Sequence, residues 1–94
     1  MYRIEIISNK SVQEDISEAL EQNIPDILYT IIPLAYGRGG DSYKLGTATW
    51  PETNFIFVSY IEDSELEKAK AVISAIKEKF PNEGIKMFIV KSEA

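Results

Sequence analysis

The sequence predicts an α+β fold in which a four-stranded antiparallel sheet carries two helices on one face. Two observations predict it: four apolar segments are rich in β-branched and aromatic residues, and two amphipathic segments lie between the strands of each half. The order β-α-β-β-α-β, with right-handed crossovers, gives the ferredoxin-like arrangement. Because the 94 residues are enough for one domain, we expect residues 1–94 to form a single domain of this type.

The predicted strands raise the question of what covers the sheet. The first, YRIEIIS, alternates imperfectly between apolar and polar residues, whereas the other three are apolar on both alternating faces. Helices cover one face only, so we expect copies of the chain to associate through the other. The alternative is that these are scattered surface residues that need no partner. The strands are predicted at residues 2–8, 27–36, 54–61 and 85–90.

Two helices are predicted from apolar residues that recur every three or four positions. The first is expected to end near Gln22, and the second at the turn that begins with Pro81. Each starts with Ser followed three residues later by Glu, the spacing of a capping box. The two predicted boxes are Ser11 to Glu14 and Ser64 to Glu67.

The composition excludes several classes of function. A net charge of −5 and a pI near 4.7 argue against attraction to nucleic acid or anionic lipid. Without cysteine or histidine the chain has no disulfide, thiol nucleophile, imidazole base or usual zinc and copper ligand. Paired carboxylates at a recognisable spacing are also missing. We therefore expect no catalytic residue and no metal site.

The location of the protein is also predicted from the sequence. No apolar stretch approaches the ~20 residues that span a bilayer. Residues 1–9 lack the long uncharged centre of a signal peptide. We expect a cytoplasmic protein without direct membrane insertion.

The segment YGRGGDSYKLGTATWPE, residues 36–52, departs from the regular pattern and is the candidate site. A connection of this length greatly exceeds the two to five residues of an ordinary hairpin loop. Four glycines let the backbone approach a ligand closely, and through Trp50 the loop carries Arg38 and Lys44 against Asp41 alone. Such a loop is suited to bind a small anion, with Arg38 able to form a two-pronged bond to a phosphate or carboxylate.

Other interpretations of the loop stay open. It could be a flexible glycine hairpin whose basic residues are solvated, because Gly-Arg-Gly-Gly is a weak motif. We expect Trp50 to be a packing anchor at the loop base, and Tyr43 to be exposed near the loop centre. If the loop binds a ligand, it would act as a mobile arm whose conformation depends on occupancy.

In its order of elements and in the residues of this loop, the chain resembles the P-II nitrogen-regulatory signalling family and its P-II-like relatives. The resemblance rests on the β-α-β-β-α-β order and on the long loop that begins YGRGGDSYKLGTA, and it covers nearly the whole chain. It implies a non-enzymatic homotrimer that binds an adenine nucleotide, ATP or ADP, in clefts between subunits. The loop, called the T-loop in that family, is implied to contact a target protein, a membrane transporter or an enzyme.

The resemblance also implies roles for individual residues. Tyr43 matches the tip tyrosine, a place of modification or partner contact. The turn FPNEG is shorter than the glycine-rich turn that follows the second helix in the family, and Ile85 separates a Gly and a Lys that are adjacent there. The implied ligand-binding residues are Gly37, Arg38, Gly39, Lys44, Gly46, Gly84 and Lys86.

Three alternatives share the same fold. An acylphosphatase would need an Arg after the first strand, where this chain has SNKSVQED. A CutA-like trimer would need a copper site, for which the chain has no His or Cys. The third alternative is a structural or protein-binding trimer that binds no nucleotide.

Overall fold

The structure is a computed structural model that describes residues 1–93. It contains a four-stranded sheet, two helices and a small hairpin in the long loop. The strands are β1 (Tyr2–Asn9), β2 (Tyr29–Ala35), β3 (Gly37–Arg38), β4 (Tyr43–Lys44), β5 (Asn54–Ile61) and β6 (Lys86–Lys91), and the helices are α1 (Gln13–Asn23) and α2 (Leu66–Lys79).

The main sheet has the predicted topology. Its order is β2-β5-β1-β6, and every neighbouring pair is antiparallel. The two central strands therefore come from different halves of the chain, as two interleaved crossovers require. The predicted ferredoxin-like arrangement is confirmed.

The core lies between the sheet and the two helices. Alternate residues of the central strands are fully buried, including Ile4 and Ile6 of β1 and Phe55 and Phe57 of β5. Full burial of such a side chain stabilises the fold by about 1.5–3 kcal/mol. The helices contribute the opposite side of the same cluster, with Ile16 and Leu20 from α1 and Ala69, Val72, Ile73 and Ile76 from α2.

Both predicted capping boxes are wrong. A 3-10 turn of residues Lys10–Val12 precedes α1, and the side chain of Asn9 accepts the Ser11 backbone N–H at 2.9 Å. A second 3-10 turn, Asp63–Glu65, precedes α2, and neither helix has a side-chain cap hydrogen bond at its first turn. Each α-helix begins one residue later than its box predicts, because the tighter turn already uses the serine position.

Strand β2 is an edge strand and is shorter than predicted. Its register against β5 shifts between Ile32 and Ala35, next to Pro33, which has no backbone N–H to donate. Leu28 falls before the strand, and its carbonyl accepts the Ser59 hydroxyl at 2.6 Å. The irregularity ends regular pairing just before the long loop begins.

The face of the sheet away from the helices is largely apolar and uncovered in the single chain. Tyr60, Phe88 and Val90 are each more than half exposed, at 54%, 51% and 56%, and Ile32 is exposed as well. In the middle of this face β1 places two charged residues, Arg3 and Glu5. We call this surface the open face: Arg3, Glu5, Ile7, Thr30, Ile32, Ile56, Val58, Tyr60, Lys86, Phe88 and Val90.

Candidate functional site in the long loop

The long loop has a defined conformation. Its strands β3 and β4 pair antiparallel, with Gly37 opposite Lys44 and Arg38 opposite Tyr43. The turn between them is closed by a 2.8 Å hydrogen bond from the Gly39 N–H to the Ser42 carbonyl. The first half of the loop is therefore a short hairpin, as the glycine-hairpin interpretation expects. That interpretation did not include the side-chain contacts within the loop.

Three side chains stack along this hairpin. The guanidinium carbon of Arg38 lies 5.3 Å from the centre of the Tyr43 ring. The Tyr43 and Trp50 rings have centroids 4.7 Å apart and are tilted by 46°. Tyr43 is thus half-buried, so the prediction that it is exposed is wrong. Trp50, still 42% exposed, packs on the hairpin instead of anchoring the loop base.

Lys44 is held at the base of the loop by an ion pair with Glu52. The carboxylate of Glu52 also accepts a 3.0 Å hydrogen bond from Asn9 Nδ2, at the end of β1. The bond to the Lys44 ammonium holds the pKa of the Glu52 carboxyl below its ordinary value. We call these three residues the loop clamp, since they tie both arms of the loop to the sheet.

A tight turn closes the second half of the loop. Gly46 has φ of +64°, which other residues adopt only with strain, and a Cβ there would lie 3.0 Å from the Tyr36 ring. Its N–H donates to the Glu52 carbonyl at 3.1 Å, and the Thr47 N–H donates to the Trp50 carbonyl at 2.8 Å. The loop backbone therefore requires glycine at position 46 whether or not a ligand binds.

The other loop glycines differ in what they require. Gly37 lies against strand β5, where an added Cβ would be 2.9 Å from Asn54 Nδ2. Around Gly40 there is open space, and neither Gly39 nor Gly40 has a positive φ. Only one of the four glycines expected to allow positive φ adopts it.

Gly84 and Lys86 lie at the same end of the sheet as the loop but on the opposite edge. Lys86 pairs with Ile7 of β1, and Ala35, where β2 ends, pairs with Asn54 of β5. Two strands separate β2 from β6, which places their edges about 14 Å apart. Within one chain, the predicted site residues are therefore brought together in the loop but not across the sheet.

Other site types receive no support from the described residues. In residues 1–93, no three His, Cys, Asp or Glu side chains are grouped so that they could hold a metal ion. Two open surface depressions of about 260 Å³ lie at the start of α1 and between the two helices, and neither is lined by residues of the loop. No helix in the same residues is long and apolar enough to cross a membrane.

The same architecture and chain order occur in solved PII-like proteins. CPII, a nitrogen-regulatory PII-like protein from Thiomonas intermedia K12 bound to ADP, AMP and bicarbonate, matches with a TM-score of 0.71, 13% identity and coverage of 97% of this chain and 86% of CPII. CPII bound to ADP and bicarbonate matches with a TM-score of 0.71, 17% identity and coverage of 95% and 82%. The chain has the PII-like fold.

A PII-like signalling protein from Thermus thermophilus has this fold too, with a TM-score of 0.62, 16% identity and coverage of 95% of this chain and 83% of that protein. No family model and no curated protein sequence matches the chain. The predicted resemblance to P-II-like proteins is confirmed in the fold. At such low identity it is a likeness of backbone architecture, so the site has to be argued from this chain's own residues.

Sequence reasoning missed two members of the site on this PII-like fold. Glu52 and Asn9 belong to the loop clamp, but they are 43 residues apart in the chain. The excess of positive charge in the loop holds only through Trp50, two residues before Glu52. Counting to the start of β5 would have shown an acid able to neutralise Lys44.

Proposed function

We propose that the protein is a non-enzymatic PII-like signalling protein of the cytoplasm that binds a small anionic ligand between copies of a homotrimer. An adenine nucleotide, ADP or ATP, is the first candidate ligand. The loop of residues 37–52 would change conformation with occupancy and present that change to a target protein. Tyr43, stacked in the hairpin, would be a point of partner contact or modification.

The placement of the predicted site residues carries this proposal. The loop base and the Gly84 to Lys86 segment lie at one end of the sheet but on opposite edges, about 14 Å apart. A cleft between two copies can bring the loop edge of one chain to the β6 edge of the next. The ADP in the CPII structures supports a nucleotide as the first ligand to test.

The open face supports the trimer. A soluble monomer rarely leaves so continuous an apolar surface exposed, and a closed ring of copies covers it in each of them. Light scattering at micromolar concentration tests this step alone. A monomer would contradict the trimer and the clefts together.

Arg38 is the loop cation best placed to meet the ligand. It is exposed and forms no ion pair within residues 1–93, whereas Lys44 is already bound to Glu52. An anion that reaches Lys44 has to compete with that carboxylate. When the ligand replaces the Glu52 carboxylate at Lys44, the loop would pass from one set of contacts to another. A ligand-driven switch requires two such states.

The loop clamp also supports a second candidate function. Lys44 is neutralised by Glu52, and Arg38 stacks on Tyr43, so both loop cations have partners inside the chain. A structural or protein-binding trimer without nucleotide would have such a loop. The two candidates differ in whether a small anion stabilises the folded protein.

Thermal unfolding with ADP, ATP, AMP, bicarbonate and acetate separates the two candidates. A ligand that binds the native state raises the melting temperature with its concentration, following mass action. Calorimetry on the best ligand then gives the stoichiometry per chain. No shift with any of these anions would remove the ligand-sensing function and leave the protein-binding one. Nucleotide hydrolysis that survives purification and disappears in Arg38→Ala would contradict the non-enzymatic assignment.

A further inference from the structure

Two opposite charges lie in the middle of the largely apolar open face, and its third charge, Lys86, lies at the β6 edge. Arg3 and Glu5 are two residues apart on β1, and Arg3 Nη2 donates to Glu5 Oε1 at 3.2 Å. Their neighbours across the strands are apolar or aromatic: Tyr60 and Val90 flank Arg3, and Val58 and Phe88 flank Glu5.

The bond within the chain leaves most of this pair's bonding capacity unused. A guanidinium has five N–H donors and a carboxylate about four acceptor positions, yet within residues 1–93 the two side chains bond only to each other. Their side chains are 35% and 28% exposed in the single chain. If a second copy covers the face, both charges lose water and need further partners.

The open face is complementary to itself in charge. It carries one base and one acid at its centre, with a second base, Lys86, at its β6 edge, although the chain as a whole has a net charge of −5. In a ring of copies related by rotation, each contact is head-to-tail, so the base of one copy can meet the acid of the next. A second copy of this chain is thus the partner that this face fits.

We propose that Arg3 of each copy bonds to Glu5 of the next copy, and that this bond sets the register in which the open faces meet. This inference rests on the trimer in the proposed function. It adds that the Arg3–Glu5 bond determines how the copies align, which a trimer held by apolar contacts alone does not require. Apolar contacts drive association without a fixed direction, whereas a bidentate charge pair admits one alignment.

Complementary charge variants test the proposal. Arg3→Glu places two acids at the centre of the face, and Glu5→Arg places two bases there. We expect each variant alone to assemble at least tenfold more weakly than the wild type. We expect their equimolar mixture to recover oligomers that contain both chains, resolved by native mass spectrometry. The chain carrying both Arg3→Glu and Glu5→Arg should assemble like the wild type, because both signs are exchanged together.

A matched control is the exposed pair Glu67 and Lys70 on α2, whose side chains approach to 3.4 Å. Glu67→Arg and Lys70→Glu change the net charge equally and should leave assembly unchanged. Circular dichroism checks that every variant is folded. The proposal is overturned if a single variant of Arg3 or Glu5 assembles as tightly as the wild type, if the mixture forms no mixed oligomers, or if the doubly exchanged chain stays dissociated. A monomeric wild type would instead contradict the proposed trimer, before any variant is made.

Discussion

Lys44 and Glu52 form an ion pair that joins the two arms of the long loop where it meets the sheet. Lys44 lies on the hairpin, and Glu52 lies just before β5 and also accepts a bond from Asn9. Glu52 thus holds the returning arm to the hairpin and to the end of β1.

The first prediction is that Glu52→Gln loosens the loop without unfolding the sheet. The amide keeps the size of the side chain but loses the charge that holds Lys44. We expect faster hydrogen exchange at the Gly46 amide, whose N–H bonds to the Glu52 carbonyl, and unchanged exchange in β1 and β5. Asp41→Asn, a change of the same kind at the exposed hairpin turn, is the control. Equal hydrogen exchange at Gly46 in the two variants would contradict the role of the clamp in holding the loop.

The second prediction concerns pH. Because the Lys44 ammonium lowers the pKa of the Glu52 carboxyl from its ordinary 4.5, the clamp contributes fully above that value and is lost as the pH falls through the lower pKa of the folded state. Fluorescence of Trp50, the only tryptophan, should therefore change below pH 4.5 in the wild type. Asp63, whose pKa is also lowered by the N-terminal amine, titrates in the same region. Only the part of the change that Glu52→Gln removes belongs to the clamp.

The third prediction is that Arg38→Ala weakens binding of the best anion from the ligand screen by about ten- to a hundredfold. A charge-assisted hydrogen bond contributes about 1.5–3 kcal/mol, which corresponds to that factor. The stability of the proposed trimer should hardly change, since Arg38 is exposed and away from the core.

The same substitution also removes the cation from the Tyr43 ring and should shift the Trp50 emission in the free protein. Lys70→Ala, on the outer side of α2, is the control for loss of a positive charge. Equal affinities in calorimetry would take Arg38 out of the ligand site, whatever the emission does.

The fold was predictable from the sequence because it follows from periodicity. The strands were predicted within two residues at each end, since β-branched and aromatic runs such as that of β5 mark them over their whole length. The capping of the helices was not predicted correctly, because a 3-10 turn contains each serine that the capping box would use as its N-cap. The loop clamp could not be predicted from the sequence, since Asn9 and Glu52 meet only after β1 and β5 have paired.

The fourth prediction compares two glycines of the loop. Gly46→Ala should destabilise the loop by about 1–2 kcal/mol, because the residue has φ of +64° and a Cβ would press on Tyr36. Gly40→Ala should stay within about 0.5 kcal/mol, because nothing lies within 4 Å of its Cβ position. Amide exchange of Thr47, which bonds to the Trp50 carbonyl, reports the loop directly. Similar exchange in the two variants would contradict the turn geometry.

The last prediction compares two buried serines on the central strands. The Ser8 hydroxyl is buried without a hydrogen-bond partner within residues 1–93, whereas the Ser59 hydroxyl donates to the Leu28 carbonyl. A buried polar group without a partner costs about 1–3 kcal/mol, so Ser8→Ala should raise the free energy of unfolding. Ser59→Ala removes a made bond and should lower it by about 1 kcal/mol. Urea unfolding of both variants gives the two signs, and a loss of stability in Ser8→Ala would mean that its hydroxyl has a partner after all.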